Sequence, residues 1–151
     1  MRKIVFRIKD IDIWYYGFPL RKVRPEDLYI SFQGEDENGN SFYSISVDVK
    51  TLGQFTGLCD KNGKEIYEGD IILTQPIKTK PYSKNTKTKK RVGKVVWNSG
   101  KRDGSSVITE PSFIVEFIDK ENDYRCWNWS LFYDCEVIGN IHDNPELLKG
   151  E

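Results

Sequence analysis

Histidine is nearly missing from this chain of 151 residues, which has only His142. Cysteine is scarce too: Cys59, Cys126 and Cys135 stand far apart, with no Cys-x-x-Cys spacing. A zinc centre needs about four nitrogen or sulfur ligands in a fixed array, and these residues offer no ligand pair on one local turn. No metal and no cofactor are therefore expected, and the thiols are expected to be free and buried. His142 sits in the polar stretch Gly139-Asn140-Ile141-His142-Asp143-Asn144. No nucleophile or orienting partner shares a motif with it, so it reads as a surface-loop residue and not as a general base. Long apolar runs are absent as well. Nothing approaches the roughly 20 residues of a membrane span, and Ile71-Ile72-Leu73 is of strand length. The opening Met1-Arg2-Lys3-Ile4-Val5-Phe6 is followed at once by Arg7, Lys9, Asp10 and Asp12, unlike a signal peptide. The expected setting is a reducing cytoplasm, with no membrane partner.

Acidic residues are missing from the long stretch Ile71–Arg102. Net charge is zero, yet residues 71–109 carry ten basic side chains against one acidic, and residues 110–151 carry three against ten. The densest part, residues 78–91, has one aromatic and almost no aliphatic residues, too little apolar surface to order itself. It reads as a long, mobile basic loop over about 76–91. Three roles fit it: a solvated insertion, salt-sensitive attraction between the two charge blocks within or between subunits, or contact with polyanion phosphates through Lys84, Lys87, Lys89, Lys90 and Arg91. Sparse aromatics and nil net charge put nucleic acid last among these.

What the chain does have is punctuation. Strand-like runs at 3–9, 13–16, 28–33, 41–49, 91–98, 113–118, 123–132 and 135–141 lie between Gly, Pro, Asn and Asp clusters. In the first, Ile4, Phe6 and Ile8 alternate with Lys3, Val5, Arg7 and Lys9. Asn38-Gly39 and Asn62-Gly63 are hairpin signals, because both residue types tolerate positive φ. Asn144-Pro145-Glu146 opens a short C-terminal helix. The fold expected is mainly β: a short-stranded SH3-like or rolled β-barrel core with an N-terminal β extension and that helix. Residues 1–50 would form a β-rich region packed on a barrel domain at 51–151. Trp14, Trp97, Trp127 and Trp129 are expected to divide between core and surface, with Trp127 and Trp129 in the core.

The run from Leu52-Gly53-Gln54-Phe55-Thr56-Gly57-Leu58 through Asp60-Lys61-Asn62-Gly63 to Ile66-Tyr67-Glu68-Gly69-Asp70 resembles the signature of the YopX family of bacteriophage and prophage proteins. Gly93-Lys94-Val95-Val96-Trp97, Glu136-Val137-Ile138-Gly139-Asn140-Ile141 and Asn144-Pro145-Glu146-Leu147-Leu148 resemble its later blocks, so the likeness covers about 44–149. It implies a β-rich protein of unassigned biochemical role in a bacterial host, and it carries over no catalytic residues. Gly53, Gly57, Asp60, Asn62, Gly63, Glu68, Gly69 and Asp70 read as a structural motif of turns and close approaches. Glu68 and Asp70 flank Gly69 and are the one carboxylate pair that invites a metal-site or acid–base reading. Backbone hydrogen bonding accounts for them more simply. The expectation is a non-enzymatic module that binds its own copies or another protein. A nucleic-acid accessory role through residues 78–91 is the alternative, and an enzyme or metal site at Glu68 and Asp70 the least favoured.

Overall fold

The structure, a computed structural model, describes residues 4–22, 29–78, 87–100, 111–119, 132 and 134–149, without the side chains of 20–32, 42–48 and 78. The chain divides into two units, Met1–Gly57 and Leu58–Glu151.

In the first unit, alternation and tight turns give β1 (Phe6–Asp10), β2 (Ile13–Lys22), β3 (Tyr29–Asp36), β4 (Ser41–Asp48), a 3-10 turn (Val49–Thr51) and β5 (Gly53–Cys59), in which the chain crosses into the second unit. The antiparallel order is β4-β3-β2-β1-β5. Pro19 cannot donate to a ladder, and the β2–β3 register shifts between Pro19 and Arg21. Ile8 is fully buried, with Phe6, Tyr15, Val49 and Leu52 packed around it. The opening alternation departs from expectation. Val5 and Arg7 are also buried, while Ile4 is 56% exposed. The Arg7 guanidinium lies 4.7 Å from the centre of the Trp14 ring, so an apparent solvent-side residue covers an aromatic face. Trp14 itself is buried.

The second unit contains β6 (Glu65–Tyr67), β7 (Asp70–Leu73), β8 (Ile77–Lys78), β9 (Thr88–Lys89), β10 (Val92–Asn98), β11 (Ser112–Phe117), β12 (Glu136–Asn140) and a 3-10 helix (Pro145–Leu148). Its antiparallel sheet runs β11-β10-β7-β12. Strand β7 lies inside that order, and Ile71 and Ile72, pointing to opposite faces, are both fully buried. Ile72 joins Ile66, Val95, Phe113, Val115, Phe132, Cys135 and Val137 in the core.

The fold is mainly β, with three expectations revised in detail. Among the described residues β11 and β12 are the outer strands of their sheet and do not pair with each other, so the sheet is not closed into a barrel there. The C-terminal helix is a single 3-10 turn whose N-cap residue, Asn144, makes no side-chain capping bond. The ends of the basic segment pair as a two-stranded ribbon, β8 with β9, where a loop was expected. The strand expected at 123–132, with Cys126, Trp127 and Trp129, lies outside the described residues except for Phe132. Among the described residues no helix is long and apolar enough to cross a membrane.

Candidate functional site

Asp60 begins the turn between β5 and β6. Its Oδ1 accepts hydrogen bonds from the Asn62 and Lys64 backbone N–H groups at 2.8 and 3.0 Å. Gly63, at φ 81°, closes the turn by donating to the Asp60 carbonyl. The second oxygen, Oδ2, reaches across the unit to accept from Val137 N at 2.9 Å. Lys61 N donates to the Cys135 carbonyl, and Lys61 Nζ pairs with Glu136 at 2.6 Å. The hairpin tip is thus fastened to the start of β12. Burial, the largest single influence, works to raise the Asp60 carboxyl. The N–H donors, Val137 foremost, and the Lys64 charge outweigh it and hold the group below the usual aspartate value.

The next corner, Glu68-Gly69-Asp70, is stitched on both sides. Gly69 N donates to the Val95 carbonyl, and Ile141 N donates to the Gly69 carbonyl, each at 2.9 Å. Gly69 has φ 84°, a region that favours glycine. Asp70 is 1% exposed, and its Oδ2 accepts from Tyr67 N at 2.8 Å. Glu68 is half-buried, with Oε1 3.4 Å from Trp97 N. Tyr67 Oη donates to Glu65 Oε2 at 2.6 Å. The 139–144 block completes the corner. Asn140 Oδ1 accepts from the His142 and Asp143 N–H groups, and Asn140 Nδ2 donates to Asp143. The Asn144 side chain fills the space beside Gly139, where a Cβ would come within 2.5 Å of Asn144 Oδ1. His142 is exposed in this turn. Blocks far apart in sequence therefore meet around β7 and β12. Gly53 and Gly57 lie on β5, in the first unit.

The basic residues separate. Arg91 is 4% exposed, its guanidinium 3.8 Å from the centre of the Phe117 ring and bonded through Nε and Nη2 to Asp119. Its backbone exchanges bonds with Thr74, through Thr74 Oγ1 and Thr74 N. Lys89 Nζ pairs with Asp119 Oδ2 at 2.8 Å. Lys87 and Lys90 are exposed, and Lys84 lies outside the described residues. Burial pushes the Asp119 carboxyl up most strongly, yet the Arg91 and Lys89 bonds and charges bring it below its ordinary value. Asp119 was not singled out by the sequence. It is one of several acids at the end of an apolar strand, with Glu116, Glu121 and Asp123 close by, and no local spacing links it to Arg91.

Trp97 is 48% exposed and packs edge-on against Phe113, ring centres 4.9 Å apart. It stands next to Glu68 on the rim of the corner. Of the thiols, Cys59 is exposed, contrary to expectation, and Cys135 is buried. Burial first, and then the Asp60 charge, pushes the Cys135 thiol up to about 11, which leaves it protonated and unreactive at neutral pH. Among the described residues no three His, Cys, Asp or Glu side chains are grouped to hold a metal ion.

The family model described as YopX protein matches residues 20–149. Nothing among the curated proteins matches the chain. A solved structure, protein EF1440 from Enterococcus faecalis, is similar at 26% identity over 98% of this chain and 99% of that one, with a TM-score of 0.47.

Proposed function

The chain belongs to the YopX family, and from that premise we propose that it is a phage or prophage protein of the bacterial cytoplasm that works as a non-enzymatic binding module, holding its own copies or another protein. The observation carrying this reading is how the motif carboxylates are engaged. Asp60 accepts three backbone N–H groups, and Asp70 is buried on a fourth. They shape corners, while the half-exposed Trp97 stands beside Glu68 at the second of them; such residues are enriched where binding energy concentrates. Charge separation along the chain supplies a salt-sensitive attraction between copies.

Size-exclusion chromatography with light scattering, at low and high salt, tests the self-association. A mass above the monomer at low salt, falling toward the monomer at high salt and reduced by Trp97→Ala, is expected. A monomer at both salt levels would remove self-association from the account.

A nucleic-acid role rests on the exposed Lys87 and Lys90, which flank β9 on either side. Arg91 and Lys89, engaged by Asp119, weigh against it. Fluorescence anisotropy with single- and double-stranded oligonucleotides decides: loss of binding in the Lys87→Glu/Lys90→Glu variant would favour this second reading.

A further inference from the structure

The pattern Asp-x-Asn-Gly occurs twice, at residues 36–39 and 60–63. The two turns are built alike. In each, the aspartate Oδ1 accepts from the Asn backbone N–H and from the N–H of the residue after Gly. In each, the glycine donates to the aspartate carbonyl and has a φ near +80°, 82° at Gly39 and 81° at Gly63. They differ in what holds them from outside. The turn at 60–63 is tied to β12 through Asp60 Oδ2 with Val137 N, Lys61 N with Cys135 O, and Lys61 with Glu136. At the other, Asp36 Oδ2 accepts from Asn40 Nδ2 inside the same loop, and residues 37–40 are exposed.

We infer that Asn38 is a site of spontaneous succinimide-mediated modification, and that Asn62, with the same following glycine, is protected by the docking of its turn on β12. Gly39 N loses its proton to solvent base and attacks Asn38 Cγ. The Cγ–Nδ2 bond breaks, and Nδ2 leaves as ammonia with a proton from water. The five-membered imide then takes up one water at either carbonyl and opens to aspartate or isoaspartate. Glycine lacks the Cβ that would shield the attacking nitrogen. In both turns that nitrogen is bonded to the aspartate carbonyl, so attack requires local opening, and the cost of opening sets the rate. Opening at 36–40 breaks bonds within the loop. Opening at 60–64 also breaks the bonds to β12, which slows Asn62 on the order of tenfold. An isoaspartate at position 38 lengthens the main chain by one methylene between β3 and β4, whose register that turn sets.

The test is incubation of the full chain at mildly alkaline pH and physiological temperature, followed by mass spectrometry of the chymotryptic peptides 33–42 and 59–67. A parallel incubation in strong denaturant serves as the reference. The expected result is conversion at Asn38 about tenfold faster than at Asn62 in the folded chain, with the two rates converging in denaturant. Equal rates in the folded chain, or faster conversion at Asn62, would overturn the inference. So would a preference for Asn38 that persists unchanged in denaturant, since sequence context and not docking would then set it.

Discussion

The Asp60 carboxylate joins three backbone N–H groups drawn from two stretches far apart in sequence, and Val137 N sits in a buried setting. Truncation to alanine leaves these donors unmatched, at about 1–3 kcal/mol for a buried one. Asp60→Ala is expected to lower the unfolding free energy by about 3 kcal/mol in urea titrations. The pH dependence follows from the sign of the shift. The folded carboxyl is held below its ordinary value of 3.8, so ionisation favours the folded state. That contribution is complete above the unfolded value and is lost as pH falls through the lowered folded one. Acid titration should therefore cost the wild type more stability than Asp60→Ala below about pH 4; parallel curves would contradict this. Ile11 presents the opposite case. It is a β-branched residue at φ 52° and 87% exposed, so strain is present with little packing to offset it. Ile11→Asn, which suits the left-handed region, should raise stability by about 1 kcal/mol. A lowered Tm would show that the isoleucine makes a contribution its exposure hides.

Strand β12 shows how an element depends on its neighbours. Its pairing with β7 shifts register between Val137 and Gly139, and the Asn144 side chain occupies the space a Cβ at 139 would need. Gly139→Ala should destabilise by about 2 kcal/mol through overpacking. Combined with Asn144→Ala, which vacates that space, the loss should be smaller than the sum of the two single changes. A double-mutant cycle that comes out additive would argue against the contact. Much at this scale was legible in the sequence. The Asn-Gly hairpins, the Gly69 corner and the buried Ile71-Ile72 strand follow from turn chemistry and apolar runs of strand length. What escaped depends on partners far along the chain. Arg91 reads as one more charge in a basic run, and only its position over Phe117 and against Asp119 makes it interior. The apparent N-cap Asn144 reads as local, yet its side chain turns back to Gly139 and Asn140.

For the molecule as a whole, zero net charge conceals two opposed blocks that partly meet within the chain, at Lys89 and Arg91 with Asp119 and at Lys94 with Glu116. The exposed pair Lys94–Glu116 contributes little to stability, whereas the buried Arg91 depends on its partner. The proposed non-enzymatic role requires Asp60 and Asp70 to serve the fold alone, and the urea unfolding free energy of Asp70→Ala is its sharpest test. A side chain kept for structure costs stability when removed, whereas one kept for reactivity is commonly neutral or stabilising to remove. Asp70→Ala is expected to lose about 2 kcal/mol, from stranding the buried Tyr67 N–H. A variant as stable as the wild type, or more stable, would contradict it.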